Sequence, residues 1–143
     1  MGSIKFVCDE ECLLEMNFTN SVGQISNKYS KIASTCKDQL DAYFAGKLKI
    51  FTMPLSFEKG TTFQRSVWKA LQSIPYGETR SYKDIATIIG NPKAVRAVGG
   101  ANNKNPIGIV IPCHRVIGSN GELVGYAGGL DKKKMLLKLE EKK

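Results

Sequence analysis

The stretch Asn105-Pro106-Ile107-Gly108-Ile109-Val110-Ile111-Pro112-Cys113-His114-Arg115-Val116-Ile117 decides how this chain is read. Residues 107–111 are a short apolar run bounded by prolines, the pattern of a buried strand. Pro112 has no N–H for a sheet ladder, so the strand is predicted to stop there and to present Cys113 on a loop. The chain's one histidine, His114, follows directly. A free thiol has a pKa of roughly 8.5 and becomes a nucleophile only when a base, a cation or a helix N-terminus ionises it. His114 and Arg115 are side chains of the right types. The same residues also fit a buried structural thiol beside a solvated basic pair, and alone they do not choose between the two.

Composition narrows the field. A length of 143 residues suits one domain, or a small domain joined to a larger one, with enough apolar side chains for a real core. Lys and Arg number 21 against 13 Asp and Glu, a net charge of +8. That balance favours an anionic partner, nucleic acid first, although the Lys132-Lys133-Lys134 and Lys142-Lys143 runs also read as solubilising surface. No apolar stretch approaches the roughly 20 residues that span a bilayer, and Met1 opens no basic-then-apolar leader. A cytoplasmic protein is expected, nuclear if the source has a nucleus, with no membrane partner. Its four cysteines, Cys8, Cys12, Cys36 and Cys113, are then reduced. The first three are expected to be small buried hydrophobes.

Outward from the central stretch, local signals place the elements. Residues 5–8 and 12–18 read as two strands around the acidic turn Asp9-Glu10-Glu11. Residues 27–45 read as a helix with Ile32, Leu40, Tyr43 and Phe44 inward and Gly46 as its stop. Residues 48–57 look extended. Thr61 and Gln64 form a capping-box pattern ahead of the apolar face Phe63, Val67, Trp68 and Leu71. Ser81 and Asp84 form a second one, opening a helix that buries Ile85, Ala86 and Ile89. Asn91-Pro92 reads as N-cap and first-turn proline of the next helix, so the pair is a candidate helix-turn-helix. That second helix carries small residues around a single arginine, Arg96. Major-groove readers carry several Arg, Asn or Gln side chains, so this face suits close approach with little base readout, or plain packing. Asp131 is the expected cap of a last helix with Met135, Leu136 and Leu139 inward.

Pro112-Cys113-His114-Arg115-Val116-Ile117-Gly118 resembles the active-site signature of the O6-alkylguanine-DNA alkyltransferases, also called methylated-DNA–protein-cysteine methyltransferases. Gly60-Thr61-Thr62-Phe63-Gln64, Ile74-Pro75-Tyr76-Gly77-Glu78-Thr79, Ser81-Tyr82, Arg96-Ala97-Val98-Gly99, Asn105-Pro106 and Gly125-Tyr126-Ala127-Gly128-Gly129-Leu130 follow the family's order and spacing. The likeness is close over residues 60–141 and loose before them. It implies a shortened α/β N-terminal domain over residues 1–57, an RNase H-like sheet with a helix. It further implies a mainly α C-terminal domain over residues 58–143, with the helix-turn-helix and a short strand carrying the active site. The short N-terminal part is expected to support the second domain rather than to hold a site.

The implied activity is direct reversal of DNA damage. An alkyl group passes from O6 of guanine, with O4-alkylthymine a second candidate lesion, to the protein's own Cys113. The thioether is not reversed, so each chain acts once, and no cofactor is required. By resemblance, His114 activates the thiol, through a water if it does not touch it. Glu140, 27 residues after the cysteine, orients His114. Tyr82 donates to the leaving base, and Asn105 orders the active-site turn. Arg96 fills the space of the flipped nucleotide, Tyr82 also crowds that nucleotide's phosphate, and Lys83, Asn91 and Ser119 meet the DNA backbone, with the helix-turn-helix in the minor groove. Val116, Tyr126 and Ala127 line the base pocket. The partner implied is double-stranded DNA containing O6-alkylguanine, bound by a monomer. Some relatives carry an N-terminal zinc. The histidines for it are missing here, so no metal is expected. Gly108 stands where a proline often lines the alkyl pocket, and Asn102 where the residue is frequently larger and apolar. The alternatives are a lesion-recognition protein without catalysis, a class that lacks the cysteine, and a helix-turn-helix regulator. The second leaves residues 125–130 and Glu140 unexplained.

Overall fold

The computed structural model describes residues 3–19, 31–123, 125–126 and 128–141. Strands β1 (Ser3–Cys8) and β2 (Leu13–Thr19) form an antiparallel hairpin, with Phe6 opposite Met16. Its turn is tied by Asp9, whose carboxylate accepts the Glu11 and Cys12 N–H groups at 2.7 and 2.6 Å. Helix α1 (Lys31–Phe44) lays Cys36, Leu40 and Tyr43 against the core. Gly46, at φ 76°, ends it in the left-handed conformation that a glycine adopts without steric cost. Cys8 and Cys12 are only partly buried, unlike the expectation, because they flank the exposed turn of the hairpin. Residues 48–57 run without regular structure, touching β2 through a bridge between Leu13 and Leu55.

The second region starts with α2 (Thr62–Leu71), which Thr61 and Gln64 cap reciprocally. Gly60 is needed here: a Cβ on it would stand 2.4 Å from the buried Trp68 ring. That ring is fixed, since its Nε1 donates to Ala101 O at 2.8 Å. Short strand β3 (Arg80–Ser81) leads into α3 (Tyr82–Ile88), capped by Ser81 and Asp84 as the sequence signalled. The next helix, α4 (Val95–Asn103), begins later than Asn91-Pro92 implied. Ala94 donates to Asn91 O at 3.0 Å, so residues 91–94 close a turn and α4 has no side-chain cap. Helices α3 and α4 pack together, and α4 also covers α2, burying Val98 and Ala101.

The strand expected at residues 107–111 is instead a pair of tight turns. Val110 donates to Gly108 O at 2.8 Å and Ile111 to Ile107 O at 3.0 Å. Ile107, Ile109 and Ile111 are still buried, which is why the run looked like a strand. Cys113 then lies on a 3₁₀ turn (Cys113–Arg115), followed by β4 (Val116–Ile117), which pairs in parallel with β3. Helix α5 (Leu130–Leu139) closes the described chain, with Gly129 rather than Asp131 at its cap. Asp131 sits in the first turn, where its charge suits the helix dipole. The core is continuous across both regions, from Leu13, Met16 and Tyr43 to Val67, Leu71, Ile85 and Leu136.

Candidate active site

Three devices hold Cys113. Asn105 Nδ2 donates to Ile111 O at 2.8 Å while its Oδ1 accepts the Ile107 N–H at 3.0 Å, so one carboxamide staples the whole turn. Ile109 adopts φ 71°, and it is the one non-glycine among the described residues with positive φ. For a β-branched residue this is strained by about 1–3 kcal/mol, a conformation kept because its side chain is buried and its turn bonded. Strand β2 supplies the third device. Met16 donates to Pro106 O at 2.9 Å and accepts from Gly108 at 2.7 Å, tying the N-terminal hairpin to the active-site turn.

Beside Cys113 lies His114, 0% exposed, with Nε2 2.7 Å from Glu140 Oε2. Glu140 is itself 1% exposed and meets three further donors. Arg115 Nε approaches Oε1 at 2.7 Å, Arg115 Nη2 approaches Oε2 at 3.0 Å, and the Tyr43 hydroxyl donates to Oε2 at 2.5 Å. Arg115 spends its other end on Ile74 O at 2.7 Å, below the Tyr76 ring. Burial pushes the Glu140 carboxyl up, but the bonds from His114 and Arg115 outweigh it and hold the group at about 2. Burial pushes His114 below its ordinary value, although Glu140 opposes the shift. The imidazole is therefore neutral near pH 7. A carboxylate accepts only, so Nε2 carries the proton and Nδ1 the lone pair. Nδ1 has no hydrogen-bond partner among the described residues.

Cys113 is buried, and burial raises its thiol pKa. The Asn105 amide and the charge of Lys133 pull it back down. Lys133 went unnoticed in the sequence, where it read as one of three solvated lysines. It is 0% exposed, donates to Gly125 O at 3.3 Å and lies 5.9 Å from the Tyr82 ring centroid. Burial pushes its ammonium down to about 8, against the pull of the Cys113 charge. The missed signal was helical spacing: 133, 136 and 140 share one face of α5, and Leu136 and Glu140 are buried too.

A cavity of about 190 Å³ opens on Cys113, lined by Met16, Asn17, Phe18, Asn102, Asn103, Asn105, Gly108, Ile109, Tyr126 and Gly128. The N-terminal hairpin thus forms one wall, contrary to its expected role as a support alone. Tyr82 is half-buried at the start of α3, close enough for the Cys113 charge to raise its hydroxyl pKa further after burial has done so. Val116 is fully buried behind Cys113. Arg96, Lys83 and Asn91 are exposed on the helix-turn-helix, and Ser119 is exposed on the turn after β4. Ala127 lies outside the described residues.

Comparison with known proteins gives this geometry a family. A model described as the 6-O-methylguanine DNA methyltransferase DNA-binding domain matches residues 62–142, and the ribonuclease-like domain of the same methyltransferases matches residues 1–57. The chain belongs to the 6-O-methylguanine DNA methyltransferase family. It is 55% identical to a methylated-DNA–protein-cysteine methyltransferase of Methanosarcina acetivorans, over 98% of this chain and 92% of the relative. A protein of the same name from Methanosarcina barkeri is 69% identical over 72% of this chain and 65% of its own length. Among solved structures, Mycobacterium tuberculosis OGT in complex with DNA superposes with a TM-score of 0.85, at 47% identity over 96% of this chain and 86% of that one.

Removing the charge of Glu140 leaves Arg115 buried without its partner. Glu140→Gln is expected to cost about 3–5 kcal/mol of unfolding free energy at pH 7, measured by urea denaturation. Because the folded carboxyl is depressed, its contribution is complete above the ordinary carboxylate range and is lost as pH falls from roughly 4.5 through about 2. The gap between the two proteins should narrow over that window. A gap unchanged with pH would mean that the charge is not what stabilises.

Proposed function

We propose that this protein repairs DNA by taking an alkyl group from O6 of guanine onto its own Cys113, once per chain. The observation that carries the reading is Cys113 at the wall of a cavity, with a neutral, carboxylate-held imidazole on the next residue. The Cys113 Sγ attacks the alkyl carbon in line. The S–C bond forms, the C–O6 bond breaks, and its electron pair stays on the guanine. The thiol proton goes to His114 Nδ1 through a bridging water. Glu140 strengthens that base and keeps its tautomer, and Lys133 offsets the charge that grows on sulfur. Tyr82 hands a proton to the departing guanine, the backbone around Cys113 and Val116 receives the base, and Tyr126 lines its pocket. The thioether product has no step back.

The alkyl carbon is out of reach inside a duplex, so the nucleotide is flipped, at a cost of a few kcal/mol. Arg96 is a long exposed side chain on the small-residue helix α4 and is placed to fill the gap in the stack. Lys83, Asn91 and Ser119 bind the phosphate backbone, and the net charge of +8 supplies sequence-blind attraction that weakens as salt rises. The chain acts as a monomer on double-stranded DNA, in the reducing cytoplasm where a thiol acceptor survives.

Mixing the protein with an O6-methylguanine duplex should add the mass of one methylene to the chain, mapped to the peptide with Cys113. A label on Cys8, Cys12 or Cys36 would sink the proposal. Cys113→Ser should still bind the lesion without taking the methyl group.

The role of Arg96 separates by substrate. Arg96→Ala should slow repair of the duplex far more than reaction with free O6-benzylguanine, which needs no flipping. Equal losses on both would move Arg96 from flipping to fold support.

A further inference from the structure

The cavity at Cys113 is walled by carboxamides: Asn17 from β2, Asn102 and Asn103 from the end of α4, and Asn105. Asn105 has both ends bonded, and Asn17 Nδ2 donates to Pro106 O at 3.4 Å. Asn102 differs. It is 2% exposed, and its Nδ2 donates to Cys113 O at 3.4 Å. Its Oδ1 is buried and meets no donor among the described residues. Turning the amide over does not help, since that would set Oδ1 against the Cys113 carbonyl, acceptor to acceptor. The backbone donors nearest in sequence are already used: Lys104 N–H by Ala101 O and Asn105 N–H by Asn102 O. Buried amide oxygens almost always have a partner, so an unpaired one lining a reaction cavity calls for a ligand that supplies the donor.

We infer that Asn102 selects the adduct: the cavity favours O6-alkyl groups whose far end carries a hydrogen-bond donor, of the 2-hydroxyethyl class, over apolar groups of equal length. The inference rests on the alkyl-transfer reading above. The carbon bonded to O6 stays open to Cys113 while the terminal hydroxyl donates to Asn102 Oδ1. An n-propyl group has the same shape, but its end carries no donor and leaves Oδ1 unpaired. A methyl group is too short to touch the question, so it reports the basal reaction. Gly108 supports the assignment. A Cβ there would lie 3.2 Å from Met16 O and 3.8 Å from the Tyr126 hydroxyl, so the missing side chain leaves that wall polar backbone and phenol rather than hydrocarbon.

The test is the single-turnover rate of the full chain on three duplexes, carrying O6-methyl-, O6-(2-hydroxyethyl)- and O6-n-propylguanine. The wild type should react faster with hydroxyethyl than with propyl. In Asn102→Leu, which replaces the amide by a group of similar size without polar atoms, the hydroxyethyl-to-propyl ratio should fall on the order of ten-fold. Asn102→Ala serves if the leucine disturbs the fold, and should lower the ratio in the same direction. The ratio cancels any damage to the Cys113 setting, which the methyl rate reports separately. A wild type that reacts equally with both adducts, or a ratio the same in wild type and variant, overturns the inference and leaves alkyl transfer standing. Failure of the wild type to take even methyl overturns the function itself.

Discussion

The Glu140 carboxylate is the interaction on which the rest depends. It comes from the end of α5, yet it binds Tyr43 of α1 in the N-terminal region and both His114 and Arg115 of the 3₁₀ turn. Three elements distant in sequence therefore meet at one buried charge. A lone carboxylate in that place would be expelled or protonated. Here it has four donor atoms, two of them on the Arg115 guanidinium, and stays ionised. The same bonds that fix the fold set the tautomer of His114, so stability and chemistry share one group. Removing either Tyr43 or Arg115 would loosen the carboxylate that holds His114.

The active-site turn is built on the opposite logic. Its residues are apolar and buried, but its backbone is forced out of the strand that such residues prefer. Asn105 and the β2 edge impose that conformation, and Ile109 carries the strain. What this gains is placement: Cys113 begins a 3₁₀ turn instead of extending a strand, so its thiol faces the cavity while His114 points into the core. Lys133, buried under Tyr82, then brings positive charge toward a thiol whose pKa burial raises, and partly offsets that rise.

What was legible in the sequence was mostly local. Both capping boxes, the Asp9 turn of the hairpin and the stop at Gly46 depend on residues within four positions of each other, and they stand where the sequence put them. The misreadings had long-range causes. The run at residues 107–111 has the composition of a strand, and only Asn105 and the distant Met16 make it turn. Asn91-Pro92 has the residues of a helix start, but its own backbone bond closes a turn first. Lys133 looked solvated because charge in a run of three hides which member faces inward. His114 was named from its place directly after the cysteine and Glu140 from family register, whereas Tyr43 and Arg115 as partners of that glutamate needed the fold itself. Asn102 was visible only as a departure, and its orphan oxygen only in three dimensions.

The central claim is that Glu140 makes His114 the base for Cys113. It is tested most directly by the rate of methyl transfer against pH, for wild type and Glu140→Gln, at a temperature where both are folded by Trp68 fluorescence. Wild type should reach its plateau near neutral pH, because burial keeps the imidazole unprotonated there. The variant should be slow at neutral pH and recover much of its rate as pH rises and the thiol ionises unaided. Superimposable profiles would contradict the claim and reduce Glu140 to a structural anchor.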